Sequence, residues 1–577
     1  MINRYHYLLV TLFFAAVICF LHGAVLLSPS QFVIAGQKVA GMHTWLYWWF
    51  HYALSHKIAL FHTNLMMYPG GLDVYFHSPV NEIPAVLLQN FISPYSVTNI
   101  LSLTSQILTG IASYVLFHDL TKEKIPALCG SFALVFGTYM LTQHAYGQTD
   151  STQFFNPLFI LAIQRRLRVP NYLNTLLLGL AFVGVCLSGP YIAYCFGFIF
   201  ILGSVIFVLF QTDRKILRTE IGWFDVLVLV FSVSVVGLFY WPILRNMGHW
   251  LGGDSRIYSC LASFVSVPFW HSSPLLQRLR IAGFGPENSF GYLGLGVTCL
   301  IFLGLFKKLA GTIPSFRFWL WIFCWCALLS LGPWLILKPG VQIPFPLPYY
   351  LFEKIPGLLE FRSVSRIWMT GSLAACALAA ITIKSVLTGK SFLARVAFLA
   401  GFLALIGMEF DLPQISKWFV SAKPSAAYVF IKNDPGNFAI LDLPQAYVKG
   451  IGFSNSGNYY MLFQPFHQKP MVFGSPSRCT NSSLEFTNRT PFVYELLHPW
   501  TLSSWERSPS SKVRLNRYIN KGINVLTVNK IKYVLFHGNS QAVREDVKHH
   551  LERWLNYSLG RPVLIDTENI RLYKIFN

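Results

Sequence analysis

Apolar stretches long enough to cross a membrane alternate with short polar stretches over the first 411 residues of the chain. A bilayer core of about 30 Å takes about 20 apolar residues of helix. On that measure the sequence predicts eleven spans. The first covers residues 7–27, and the others start near Asn81, Pro126, Phe154, Tyr172, Tyr191, Phe224, Phe290, Phe316, Arg366 and Arg395. The first run outlasts a signal-peptide core and no A-x-A site follows it, so a retained anchor is expected. The fourth, ending near Gln164, is short enough to be tilted or partly re-entrant. From residue 422 the pattern changes. Segments 437–443, 470–473, 523–537 and 562–576 look like strands, 542–557 reads as an amphipathic helix, and Glu568–Asn569 is placed to turn a hairpin. The expected architecture is an α-helical polytopic membrane domain over 1–411 with a C-terminal extracytoplasmic α/β domain over 422–577.

Charge sets the expected orientation. Only 12% of residues are charged against 54% hydrophobic, yet the net charge is +21. Such a balance raises the prospect of nucleic-acid binding, but no zinc-finger or helix-turn-helix spacing accompanies it. The basic residues instead fall in every second loop: Lys122 and Lys124; Arg165, Arg166 and Arg168; Arg214, Lys215 and Arg218; Lys307, Lys308 and Arg317; Lys384, Lys390 and Arg395. With Arg4, these place the N-terminus and five loops in the cytoplasm. The longer loops, 28–80, 144–153, 245–289 and 335–365, and the C-terminal domain then share the opposite side of the cell membrane. In the first of these loops, 42–54 (MHTWLYWWFHYAL) suits an aromatic helix at headgroup depth or lining a groove. Cys260 and Cys479 fall on that side as well, where a disulfide is permitted but not indicated.

Several segments resemble, in order, a group of bacterial multi-span proteins of GT-C glycosyltransferase type. They are MYPGGLDVYFHSP at 67–79, FGYLGLGVTCLIFLGL at 290–305, LSLGPWLILKPGVQIPFPLPYYLFEKIPGLLEFRSVSR at 329–366, and YMLFQPFHQKP at 460–470. The resemblance implies transfer of a sugar from a polyprenyl-phosphate donor to an extracytoplasmic glycan, lipid or protein acceptor, in a groove between the spans and the large loops. It also implies an acid in the first loop. Here AGQKVA at 35–40 carries Gln37 at that place, and an amide cannot take a proton at neutral pH. Two other classes therefore stay open: a catalytically inactive lipid-glycan binder or envelope-assembly protein, and a transporter or flippase. No internal repeat supports the last.

Transfer from a phosphate-linked sugar needs a carboxylate to deprotonate the acceptor and a cation to hold the departing phosphate. Asp150 in HAYGQTDS leads the acids, followed by Asp73 and then Glu82 near a span's edge; Glu287 is a further one. For each Asp a plain turn or cap carboxylate is the more common reading. Arg362 and Arg366 at i, i+4 are the phosphate candidates, sharing one helix face if the helix starts early enough, and snorkelling is their plain alternative. Arg245 and Arg256 have weaker support. Trp45, Trp48 and His77 are the remaining substrate-contact candidates. His43, His77 and His144 lie on one side, but their separation specifies no metal site, and a divalent cation stays open. His467 is either structural or acceptor-contacting. No nucleotide-binding or soluble-hydrolase motif occurs.

Overall fold

The computed structural model describes residues 5–34, 41–145, 152–210, 222–245, 250–251, 257–267, 277–281, 290–355, 361–445, 447–448, 452–453, 455–474, 479–498, 512–540 and 543–576. Among these residues five helices are long and apolar enough to cross a bilayer: Pro94–Thr121, Pro190–Leu209, Trp223–Arg245, Val364–Leu387 and Phe392–Glu409. Lys124–Val135 and Thr138–His144, bent by 43° at their junction, make a sixth if taken as one span. The shorter apolar helices Tyr5–Leu21, Tyr172–Ser188, Leu295–Phe306 and Pro314–Ser330 stand at further predicted positions, and Phe155–Arg168 stands at the fourth. The chain is a multi-pass membrane protein. Among the described residues, five or six spans qualify by length and composition, where the hydropathy pattern predicts eleven.

The second span starts at Pro94 rather than near Asn81. Ser93 caps it, its hydroxyl accepting from the backbone N–H of Ser96, and Pro94 occupies the first turn. The apolar residues around Asn81 form a separate ten-residue helix, Pro79–Leu88. At about 15 Å that helix is too short to cross. The Val364–Leu387 helix is central, with 78% of its apolar window buried, whereas Trp223–Arg245 is peripheral at 11%. Gly371, Ala374, Ala375, Ala377, Ala379 and Ala380 line the central helix and let its neighbours approach closely.

Beyond residue 422 a four-stranded sheet forms in the order Leu564–Ile565, Ile570–Lys574, Ile531–His537, Ala439–Leu443. The last two strands run parallel and the other pairs antiparallel. Asn569 turns the final hairpin at φ 59°, while Asp566 Oδ1 accepts from the N–H groups of Glu568 and Ile570. Two predicted strands are corrected. Residues 523–528 complete the Lys512–Val528 helix, and 470–473 contribute only an isolated bridge between Ile440 and Met471. The β-branched residues of 523–528 misled the strand reading, because helical register with the preceding turns outweighs their intrinsic preference. The amphipathic helix is present as Glu545–Leu559.

The aromatic segment is helical, Gly41–Ser55, and its large rings are packed inside the protein. Trp45, Trp48, Trp49 and Phe50 are buried in one core with Leu441, Leu443, Val534, Phe536 and Leu555. Trp45 Nε1 donates to Gln464 Oε1, and Trp49 Nε1 donates to Leu60 O at 3.0 Å. A Cβ on Gly41 would stand 1.6 Å from the carbonyl oxygen of Asn458, so only glycine permits this crossing. Cys260 and Cys479 are both buried.

Candidate functional site

Ser78 stands at the N-cap position of the short Pro79–Leu88 helix and Pro79 starts it, which puts Glu82 one turn in. Its carboxylate folds back onto the helix entrance, where Oε1 accepts from the N–H of His77 at 2.9 Å. Oε2 is buried with no hydrogen-bond partner. Burial pushes the Glu82 carboxyl up to about 8, against the opposing backbone bonds from His77 and Ser78. A buried acid poised close to neutrality with one oxygen unengaged is equipped to exchange a proton.

The preceding residue, Asn81, ties this helix to the bundle. Asn81 Nδ2 donates to Ser78 Oγ at 3.0 Å and to Thr152 Oγ1 at 2.8 Å, and Thr152 lies 3.1 Å from Ser105 Oγ. Asp150, which heads the acids in the sequence, lies outside the described residues, as do Gln37, Arg256 and Glu287. Asp73 is placed differently from Glu82. It sits at the end of a two-residue strand, half-exposed, with Oδ1 2.9 Å from His62 Nδ1. A shallow groove nearby is lined by Trp45, Asp73 and His77 together with Met42, Met66 and Met461. Trp48 lies outside that groove, buried with its ring 4.9 Å from that of Tyr52.

The His77 ring stacks on Tyr75 at 4.8 Å and meets His43 edge-on at 6.1 Å. Burial, then His77, then the positive charge of Arg366 hold His43 down at about 3, so its imidazole is neutral. Glu82 thus meets His77 at its backbone N–H, the His77 and His43 rings are neighbours, and Arg366 acts on His43 through its charge. The guanidinium of Arg366 lies over the ring of Tyr191 at 4.3 Å.

Arg362 does not share a helix face with Arg366. The helix that would align them begins only with the Val364–Ile367 3-10 turn, and Ser363 ahead of it pairs with Ile257 as a parallel bridge. The Arg362 carbonyl accepts from Ile257 N at 2.9 Å, so the backbone there is extended and the i, i+4 geometry is lost. Nor do the three histidines assemble. His144 is buried with His22, their Nε2 atoms 3.0 Å apart. Among the described residues no group of three or more His, Cys, Asp or Glu is placed to hold a metal.

His467 is buried behind the sheet. Its Nδ1 accepts from the N–H of Lys469 at 3.0 Å, its ring is parallel to Tyr428, and burial lowers it to about 4. Beside it, Asp442 Oδ1 accepts from His537 Nε2 at 2.8 Å and from the Tyr428 hydroxyl at 2.7 Å. This places His467 in a structural polar cluster that sequence reading did not foresee. Asp442 and His537 stand 95 residues apart and meet only because their strands pair in parallel. Tyr191 was missed as well. It opens a predicted span, and nothing in its immediate sequence marks it as an arginine's partner.

No protein-family model matches the chain, and no curated protein matches it. Solved structures do. Arabinofuranosyltransferase AftD from Mycobacteria aligns over 100% of this chain and 40% of its own, with a TM-score of 0.53 at 10% identity. The oligosaccharyltransferase of Archaeoglobus fulgidus in its apo form aligns over 93% of this chain and 70% of its own, with a TM-score of 0.51 at 13% identity. The chain thus spans about two-fifths of the length of the arabinofuranosyltransferase. At these identities the likeness speaks for architecture, and the architecture is that of a GT-C glycosyltransferase-type fold.

Proposed function

We propose that this protein is a membrane glycosyltransferase that moves a sugar from a polyprenyl-phosphate donor to an acceptor on the extracytoplasmic side. The observation that carries this reading is the group Glu82, His77, His43, Arg366. It groups a buried acid having a free oxygen, the backbone N–H of His77 that this acid accepts, the His43 ring beside that of His77, and a guanidinium whose charge helps to keep His43 neutral. Ionised Glu82 takes the proton of an acceptor hydroxyl. The hydroxyl oxygen bonds to the anomeric carbon as the bond from that carbon to the phosphate oxygen breaks. Polyprenyl phosphate departs with the electron pair, and Arg366 holds its charge bidentately. His43 is a neutral donor or acceptor for the sugar hydroxyls, and His77 and Trp45 line the adjoining groove. Asp150, outside the described residues, stays in the proposal as a second candidate acid. Asp73, paired with His62 and half-exposed, is assigned to the groove's rim.

Mass spectrometry of lipid co-purified with the protein tests the donor class. The expected result is a polyprenyl-phosphate sugar in the wild type that is depleted in Arg366→Gln. Recovery of unrelated solutes or phospholipid alone from both would remove the donor assignment and favour the transporter class. Donor binding without sugar transfer would identify the inactive binder that Gln37 leaves open.

A further inference from the structure

Arg366 is held from two directions by a single stretch of the span that opens at Pro190. Gly189, at φ 156°, breaks the chain between the Tyr172–Ser188 helix and this one, and Pro190 restarts it. Tyr191 follows in the first turn. Its ring faces the Arg366 guanidinium at 4.3 Å, and its hydroxyl accepts from the N–H of Ser363 at 3.3 Å. One side chain thus engages both the head of the arginine and the backbone at the start of its 3-10 turn. Immediately after comes a π-helical run, Ala193–Phe200. Within it, Cys195 Sγ donates to the Arg366 carbonyl at 3.4 Å, and the Cys195 carbonyl accepts from Thr370 Oγ1 at 3.2 Å. Widened helical turns of this kind recur at functional sites, where they redirect side chains and free carbonyl groups.

We infer that Tyr191 is the positioning residue for Arg366, with Cys195 fixing the backbone below it, and that this pairing sets the site's preference for a phosphate-bearing lipid over its uncharged alcohol. This rests on the proposed phosphate role of Arg366. An unsupported arginine carries about 2 kcal/mol of rotamer entropy, and an aromatic face limits its head to one plane. The same ring does nothing for a neutral headgroup. Tyr191 therefore acts on charge recognition and not on accommodation of the isoprenoid chain.

The test is binding of undecaprenyl phosphate and of undecaprenol to the full chain in nanodiscs, for wild type, Tyr191→Leu, Tyr191→Phe and Arg366→Gln, with thermal unfolding as the folding control. Tyr191→Leu should weaken undecaprenyl phosphate by roughly three- to tenfold and leave undecaprenol unchanged. Tyr191→Phe, which keeps the ring, should stay within about twofold of wild type. Equal loss of both lipids in Tyr191→Leu would show a merely structural role and overturn the inference. Wild-type phosphate binding in Tyr191→Leu, while Arg366→Gln loses it, would overturn Tyr191 alone and leave the arginine's role standing. Retained preference for the phosphate in Arg366→Gln would bring down the arginine's role and the tyrosine's with it.

Discussion

Glu82 shows at residue scale how position in a fold can turn a helix-entrance acid into a chemical group. The same carboxylate exposed on a surface would be a modest cap. Here burial raises it from 4.5 to about 8. Between those values the folded protein retains a proton that the unfolded chain has released, so stability falls as pH rises from about 4.5 to about 8 and then levels. Glu82→Gln removes that dependence. Its unfolding temperature should gain on wild type across this window and hold a constant lead above it, as thermal scans at several pH values would show. Transfer, which needs the ionised form, should climb through the same range and fall by about 100-fold or more in Glu82→Gln. A pH-independent rate in the wild type would contradict that role. Sequence alone placed Glu82 near a span's edge but could not show its free oxygen, since that depends on the chain returning from Ser78 to enclose it. The same limit explains Arg362. Spacing of four residues implies a shared face only inside a helix, and the bridge from Ser363 to Ile257 keeps the helix from starting early enough.

At the scale of elements, helices announced by long apolar runs were legible because lipid demands a continuous apolar surface. Boundaries were not always so. The run through Asn81 hid a helix end and a new N-cap at Ser93, and only the Ser-Pro pair hinted at it. The Gly41–Ser55 helix was visible as aromatic and helical, yet Gln464 and the sheet residues that pack on it come from more than 380 residues away and left no local trace. Two tests belong here. Gly41→Ala should force the Asn455–Met461 helix away from it and sharply lower the unfolding temperature, because the new methyl group meets backbone that cannot yield. Gln464→Leu strands the Trp45 N–H and removes the amide donor to the Lys469 carbonyl, and should cost about 1–3 kcal/mol in equilibrium unfolding. Little change in either variant would mean that the aromatic helix is not clamped as described. At the last hairpin, Asn569→Gly should be close to neutral, whereas Asn569→Val should cost about 1–2 kcal/mol at a left-handed position.

For the whole molecule, the functional reading depends on the Glu82–Arg366 group and the sheet-bearing C-terminal region sharing one compartment. The contacts join them: the helix that carries His43 also carries Trp45, which bonds Gln464. Loop charges then predict that this side faces away from the cytoplasm. Protease accessibility in sealed vesicles should place Arg165–Arg168 and His467 on opposite sides, and finding them together would reverse the orientation. Likeness to known glycosyltransferase structures establishes the architecture, whereas the chemistry depends on side chains that such distant relatives share at only 10–13% of positions.

Sugar release from a labelled polyprenyl-phosphate donor by the purified protein in nanodiscs, compared between wild type and Glu82→Gln, tests the central claim most directly. The account predicts transfer by the wild type that rises with pH toward about 8 and is nearly abolished in the variant, with donor binding unchanged in both. Equal transfer by the two proteins would contradict it.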